Sequence, residues 1–194
     1  GFQQITATNI SQAMPQSTTQ VRAISSGFHL EADVAPTAVQ AGQTFTLTVK
    51  VTNDAGSVIQ EINSFVQVEV QNASTQAPGR GDLLNATFQL LQGERAMAES
   101  YTYAEPIILI ITDDAGNAPA ATDVITVSPG APAEVVLSSN PKWVAGNKHA
   151  TVSARVIDAY DNGVPDQPVI FARLAGNCIL KALDPTRYDV SLVA

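Results

Sequence analysis

The sequence predicts an all-β protein made of two β-sandwiches in tandem, the second of them incomplete. Apolar and polar residues alternate strictly along residues 44–52, which places Phe45, Leu47, Val49 and Val51 on one face of a strand. Further short apolar runs follow, separated by Gly-, Pro-, Asn- and Asp-rich turn sequences at intervals of about 8–12 residues. No stretch has the apolar periodicity of an amphipathic helix.

Residues 27–129 form the first predicted module. They contain about seven strand candidates in roughly a hundred residues, which is the pattern of an immunoglobulin-like sandwich. The sequence PGAPA then starts at residue 129. Its two prolines fix φ and donate no N–H, so we expect a short, semi-rigid hinge between modules.

Residues 130–194 form the second predicted module, and an internal repeat supports it. AGQTFTLTVKVTNDAGSVI (41–59) and AGNKHATVSARVIDAYDNGVP (145–165) share one plan: Ala-Gly, an alternating strand, and an Asn/Asp/Gly turn. The second copy has little more than half of the ~100 residues that a sandwich needs. We therefore expect that the segment was cut from a longer chain, or that the missing strands come from elsewhere.

Residues 1–26 are rich in Gln, Ser, Thr and Ala and nearly free of charge, which predicts a polar tail or linker. The runs FQQITATNI and TQVRAIS within it have strand-like composition. Such a segment is suited to adding a strand to the open sheet edge of a neighbour.

Composition argues against several classes of function. The chain has 10 basic and 18 acidic residues and a net charge of −8, which disfavours nucleic acid and anionic membrane surfaces as partners. The single cysteine, Cys178, rules out a disulfide framework, and we expect it to be a buried thiol. The longest apolar run, residues 106–111, has the length of a strand rather than of a membrane span.

Two stretches of the second module, PGAPAEVVLSSNP and VIDAYDNGVPDQPVIF, resemble bacterial immunoglobulin-like repeats of the invasin/intimin type. The matching positions are Ala133, Val135, Val136, Leu137, Asp158, Asn162, Gly163, Val164, Pro165, Val169 and Phe171. The first module, through GRGDLLNATFQLLQGERAMAESYTYAEPIILIITDDAGNAP, is similar to a related extracellular repeat. The resemblance spans residues 28 to about 180 and implies an extracellular or bacterial cell-surface location. Neighbouring immunoglobulin-like domains, of the same or adjacent chains, are the partners that it implies.

The tripeptide Arg80-Gly81-Asp82 lies in a Pro/Gly-rich loop and spells an integrin-type adhesive motif. A tripeptide also occurs by chance, so we favour a purely structural loop.

Two acidic turns are candidates for a calcium site, one with Asp113 and Asp114 and the other with Asp158 and Asp161. Carboxylate oxygens are ligands that Ca²⁺ prefers. Neither turn has the spacing of a helix–loop–helix calcium loop, and Asp favours turns because it bonds the local backbone. We favour the turn interpretation and expect no cofactor, with calcium as the alternative.

Trp143, Tyr101, Tyr103 and Tyr160 are candidates for a platform on which a sugar ring stacks. The alternative, which we favour, is that Trp143 packs at the module junction and the tyrosines close the ends of the sandwich.

The two histidines, His29 and His149, are far apart in sequence, and no nucleophile motif accompanies them. We therefore predict a protein that is not an enzyme. The leading hypothesis is a structural or spacer module of a bacterial surface or secreted protein: a stalk, surface-layer or filament component that acts through domain stacking and protein–protein contacts. The alternative is an accessory domain of an adhesin or extracellular enzyme that binds a glycan or a host receptor.

Overall fold

The computed structural model describes residues 2–7, 17–22, 27–142, 149–172, 179–182 and 189–193. It confirms the predicted all-β class, since every regular element in these ranges is a strand. The strands are β1 (Phe2–Ala7), β2 (Ser17–Arg22), β3 (Phe28–Ala35), β4 (Ala38–Gln40), β5 (Thr44–Asn53), β6 (Phe65–Asn72), β7 (Thr87–Gln89), β8 (Glu94–Ser100), β9 (Pro106–Asp113), β10 (Ala120–Ala121), β11 (Ile125–Ser128), β12 (Glu134–Asn140), β13 (His149–Ile157), β14 (Ile179–Ala182) and β15 (Asp189–Val193).

The first module is an immunoglobulin-like sandwich of two sheets. One sheet has the strand order β3-β5-β8, and the other has the order β4-β11-β9-β6-β7 with β10 beside β9. The pairings are antiparallel except that of β4 with β11, which is parallel. The core contains side chains from both sheets, so it lies between them.

The alternating pattern of β5 determines which of its faces is buried. Phe45, Leu47, Val49 and Val51 are at most 2% exposed and belong to one cluster with the aliphatic side chains of β9. Burying each such side chain contributes about 1.5–3 kcal/mol. The strand and face predicted from the alternation are therefore confirmed.

The two modules share one backbone plan with a fixed offset. Val51 corresponds to Val156 and Asn53 to Asp158, an offset of 105 positions (156 minus 51). Ile59 N–H donates to Val51 C=O at 2.9 Å, and the matching Val164 N–H donates to Val156 C=O at 2.9 Å. The sequence repeat thus reflects the same strand-and-turn structure in both modules.

The second module contributes one sheet to the described part of the chain, with the order β12-β13-β15-β14. Its apolar face is open where that of the first module is closed: Leu30 is 3% exposed, whereas the matching Val135 is 49% exposed. No second sheet packs on this face among the described residues. The described part of the second module is therefore a single four-stranded sheet, in agreement with the predicted all-β class.

The segment 1–26 contains two strands. β1 and β2 pair antiparallel with each other, with Phe2 opposite Arg22 and Ala7 opposite Ser17. Each of the two strand-like runs recognised in the sequence supplies one of these strands.

No helix among the described residues is long and apolar enough to span a membrane.

Candidate functional site at the module junction

The segment 101–105 leaves β8 and lies between a surface loop and the second module. Its first residue, Tyr101, is fully buried. The Tyr101 hydroxyl donates to Glu105 Oε1 at 2.7 Å and accepts the Gly81 N–H at 2.7 Å. Burial, together with the hydrogen bond to Glu105, raises the pKa of Tyr101 to about 12. Tyr101 therefore stays protonated and connects the loop to the strand end.

The Glu105 carboxylate is the anchor of this segment. It is 7% exposed and accepts the Arg80 N–H at 2.8 Å, the Asn72 amide at 2.8 Å and the Tyr101 hydroxyl. Burial alone would raise the pKa of the carboxyl, but these hydrogen bonds and the charge of Arg80 outweigh burial and lower it. Glu105 is therefore an ionised group with a full set of donors.

The Arg80-Gly81-Asp82 tripeptide is bonded to this segment at each of its backbone N–H groups. Glu105 accepts from Arg80, Tyr101 from Gly81, and the Thr102 hydroxyl from Asp82. The Arg80 side chain is 67% exposed, but its guanidinium donates to the Tyr103 hydroxyl at 3.1 Å and lies 5.5 Å from the ring centroid. The tripeptide therefore lies flat against residues 101–105.

Gly81 permits this close approach. A Cβ atom on Gly81 would lie 2.6 Å from the backbone nitrogen of Tyr103, so a side chain there would push the loop away. The glycine of the motif is accordingly explained by packing.

On the other side of the junction, Asp158 organises the first turn of the second module. Its Oδ1 accepts the N–H groups of Tyr160 (2.8 Å) and Asn162 (2.9 Å), and its Oδ2 accepts the Gly130 N–H (2.7 Å) and the Asn162 amide (2.9 Å). Burial opposes ionisation, but these four donors outweigh it and hold the pKa of the Asp158 carboxyl below its ordinary value.

Asn162 connects this turn to the first module by hydrogen bonds. It is 3% exposed, its Oδ1 accepts the Ala104 N–H at 2.9 Å, and its Nδ2 donates to Thr102 C=O at 2.9 Å. One amide thus satisfies two backbone groups of the preceding module while also bonding Asp158. A buried amide of this kind fixes position because each lost partner is costly.

Tyr160 makes a third contact across the junction. A Cβ atom on Gly42 would collide with the Tyr160 ring, and Gly42 has a φ of +77°, a conformation that favours glycine. Three separate parts of the first module and its linker therefore meet the second module: Gly42, the segment 102–104, and Gly130.

A cleft of about 440 Å³ lies beside these contacts. Its lining includes the Tyr103 ring, Pro129 and Arg155. Arg155 donates to Asp161 C=O at 2.8 Å, which orients its guanidinium along the turn. The cleft combines an aromatic ring with a cation in the way that ligand sites do.

The acidic turns singled out in the sequence share one construction. In the turn at 113–117, Asp113 accepts the backbone N–H of Asn117 at 3.1 Å and its side-chain amide at 2.6 Å, while Asp114 accepts the Phe65 N–H at 2.9 Å. In both turns the third residue after the leading Asp has a positive φ, which is 74° at Gly116 and 64° at Asp161. Among the described ranges, no group of three or more His, Cys, Asp or Glu side chains is arranged to hold a metal.

The three described tyrosines of the predicted aromatic platform differ in their burial. Tyr101 is fully buried and offers no surface for a sugar, whereas Tyr103 is half-buried at the cleft and Tyr160 is 45% exposed. Trp143 and Cys178 lie outside the described residues, as does the side chain of His149. The other histidine, His29, bonds the Thr52 hydroxyl at 3.1 Å.

Two carboxyls with structural importance were missed at the sequence level. Glu105 stands alone before a proline, and no pattern marks it. Glu99 is fully buried, its Oε2 accepts the Asn85 N–H at 2.9 Å, and its Oε1 has no hydrogen-bond partner among the described residues. Burial raises the pKa of the Glu99 carboxyl. The alternation of β8, which places Glu99 on the inner face with Met97, was the available signal.

No protein-family model matches the sequence, and no curated protein matches it. The similar solved structures include the following three. The Escherichia coli adhesin FdeC has a TM-score of 0.43 and 16% identity over 92% of this chain and 59% of that chain. Domains 4–9 of the surface layer protein SbsC give 0.36 and 14% over 100% of this chain and 30% of that chain.

The Salmonella enterica pilin SafA in complex with its chaperone SafB gives a TM-score of 0.34 and 16% identity over 69% of each chain. The chain therefore spans little more than half of the adhesin structure and less than a third of the surface-layer fragment. At these identities and TM-scores the likeness carries no argument about this chain.

We predict that Tyr101→Phe loosens the Arg80-Gly81-Asp82 loop. The change removes the donor to Glu105, which is buried, and the acceptor of the Gly81 N–H, which is half-buried, at a cost of about 1–3 kcal/mol. Hydrogen exchange should accelerate at Gly81 and Asp82, with denaturation reporting the lost stability. The half-buried Tyr103→Phe serves as the control, and equal exchange in the two variants would contradict the role given to Tyr101.

We also predict that the junction opens only in acid. Because the folded-state pKa of Asp158 lies below the ordinary value of about 3.9, its contribution is complete above that value and is lost as the pH falls through the folded-state pKa. The distribution of distances between labels on the two modules should keep the same width from neutral pH to about pH 5 and should broaden below about pH 4. The distance distribution of Asp158→Asn should already be broad at neutral pH, because an amide group cannot accept four hydrogen bonds. A transition near pH 7 would contradict this assignment.

Proposed function

We propose that this chain is a non-catalytic structural spacer of a bacterial cell-surface or secreted protein. It would hold neighbouring immunoglobulin-like domains in a fixed relative orientation. The observation that supports this most directly is the clamp formed by Asp158 and Asn162, which bonds the second module to the segment 102–104 and to the linker.

Domains joined by a short linker ordinarily move relative to each other unless their interface is extensive. Here the linker itself is tied down, because the Gly130 N–H donates to Asp158 at 2.7 Å. The Pro-containing stretch therefore acts as part of the interface rather than as a free hinge.

The clamp consists of hydrogen bonds between buried groups, since Asp158 and Asn162 are each 3% exposed. The bond from Gly130 to the ionised Asp158 carboxylate contributes about 1.5–3 kcal/mol, and each of the two neutral bonds from Asn162 to the first module contributes about 0.5–1.5 kcal/mol. If the junction opened, each of these groups would lose its hydrogen-bond partner and would have to bond water instead. A spacer that transmits position along a stalk, a surface layer or a filament requires this kind of stiffness.

The decisive variant is Asn162→Ala, which removes the bonds to Ala104, Thr102 and the Asp158 carboxylate. Spin labels at Leu91 and Ser138, both exposed, would report the distance between the modules in a Cys178→Ser background. We expect a narrow distribution for the parent protein and one at least about twofold broader for the variant.

The matched control for this variant is Ser57→Ala. Ser57 occupies the same position in the equivalent turn of the first module, and its side chain is exposed. The control should leave the distribution narrow. An equally broad distribution in the parent protein would overturn the proposal of a rigid spacer.

The cleft beside Tyr103 favours a second candidate function, the binding of a glycan or a receptor segment. Its aromatic ring and the nearby guanidinium groups of Arg80 and Arg155 suit an anionic or hydroxyl-rich ligand. If this function holds, Tyr103→Ala should weaken binding on a glycan array by at least about tenfold. Phe65→Ala, which removes an aromatic ring that is 58% exposed outside the cleft, should leave binding unchanged. If the parent protein bound no glycan, the spacer function would be the only one of the two candidates to remain.

A further inference from the structure

The segment 83–86, here called the strap, connects the two sheets of the first module along one side. Leu84 N–H donates to Ser100 C=O at 3.1 Å, which bonds the strap to β8 of one sheet. Ala86 C=O accepts the Val68 N–H at 2.8 Å, which bonds it to β6 of the other. β8 pairs with β5 along one edge, and no strand among the described residues pairs with its other edge. The strap therefore covers part of an edge that would otherwise be open.

Both ends of the strap are fixed, so only its middle is free to move. Before it, the Asp82 N–H donates to the Thr102 hydroxyl at 2.9 Å. After it, β7 begins at Thr87, which pairs with Gln67 of β6. The middle is held by hydrogen bonds, since the side chain of Leu84 is 61% exposed.

The Glu99 carboxyl lies beneath the strap with one of its oxygens unpartnered. Its side chain is on the inner face of β8, opposite Phe45 of β5, and is fully buried. Oε2 accepts the Asn85 N–H at 2.9 Å, whereas Oε1 has no hydrogen-bond partner among the described residues. An ionised carboxylate is costly here, because burial removes its water and only one donor replaces it. The closed strap therefore favours the protonated carboxyl, in which Oε2 still accepts from Asn85.

The charged residues of the neighbouring elements do not face Glu99. Lys50 of β5 and Glu69 of β6 lie on the outer faces of their sheets, and β7 and the strap carry no charged residue. Glu94 is at the far end of β8, opposite Lys50. Asp82, which precedes the strap, is exposed.

Two polar side chains near Glu99 in sequence also point inward, and each is bonded elsewhere. Arg95 donates to a backbone carbonyl of β7 at 3.0 Å, and the Tyr101 hydroxyl donates to Glu105 at 2.7 Å. Burial therefore outweighs the hydrogen bonds from Asn85 and raises the pKa of the Glu99 carboxyl.

We propose that the strap is a pH-sensitive closure, which stays shut while Glu99 is protonated and opens more often once Glu99 is ionised. Ionisation beneath the closed strap leaves a buried charge with a single donor, whereas an open strap lets water solvate that charge. Closing of the strap and uptake of a proton by Glu99 are thus linked. The device lies within the first module and goes beyond the spacer function.

The direction of the pH dependence follows from the raised pKa of Glu99. Its contribution to closure is complete below the ordinary glutamate value of about 4.3 and is lost as the pH rises through the folded-state pKa. Glu105 and Asp158 have lowered pKa values, so their contributions are lost only as the pH falls. Between about pH 5 and pH 8, Glu99 is therefore the one of these three carboxyls that titrates.

Hydrogen exchange in the full 194-residue chain tests the proposal. The amides of Leu84 and Asn85 report on the strap, because they donate to Ser100 and Glu99. Their protection factors, corrected for the intrinsic pH dependence of exchange, should fall at least about threefold from pH 5 to pH 8 in the parent protein. The control amide is that of Ile59, which is bonded at the other end of β5 and should keep its protection factor.

Glu99→Gln removes the titration and keeps the shape of the side chain. In this variant the protection factors of Leu84 and Asn85 should be equal at pH 5 and pH 8. Each variant is compared with itself at the two pH values, so a change in its overall stability does not affect the result. Glu99→Met provides a second uncharged side chain. The matched control is Glu69→Gln, at an exposed glutamate of β6, which should show the same fall as the parent protein.

A parent protein whose strap is equally protected at both pH values would overturn the proposal. A fall that persists in Glu99→Gln and Glu99→Met would overturn it too, because another group would then be responsible. An equal fall at Ile59 would mean that the whole module opens rather than the strap, which also contradicts the proposal.

Discussion

A carboxylate removed from water must find hydrogen-bond donors, and this requirement shapes the junction between the modules. Asp158 meets it with three backbone N–H groups and one amide, and one of those N–H groups belongs to the linker. The linker can therefore not move away without leaving a buried charge short of a donor. This hydrogen bond restrains the linker at Gly130, next to the proline that restrains it through its fixed φ.

The first module meets the same requirement with Glu105, and the two carboxylates lie on opposite sides of one short segment. Glu105 accepts the Tyr101 hydroxyl and so connects the two ends of residues 101–105. Asn162 of the second module bonds the backbone of Thr102 and Ala104 in the same segment. The Arg80-Gly81-Asp82 loop rests on the same segment. A change in this segment would therefore affect the loop and the junction together.

Sequence reasoning succeeded where the type of side chain itself indicates whether a position is buried or exposed. The two-residue period of β5 identifies the buried face, because a strand alternates its side chains between core and solvent. It failed where the partner is a backbone group: Asn162 binds Thr102 C=O and Ala104 N–H, which every residue type supplies. Tyr101 and Tyr103 look equivalent by spacing, but β8 ends at Ser100, so one ring enters the core while the other stays half-buried.

The clamp has a consequence for the chemical lifetime of the protein. Asn162 is followed by Gly163, the pairing in which an asparagine amide is most readily attacked by the next backbone nitrogen and converted to a carboxylate. In this chain both atoms of the amide are engaged and the residue is nearly without solvent contact. Rotation of the amide toward Gly163 would break all of those bonds at once. The contacts between the modules thus also protect Asn162 from this reaction.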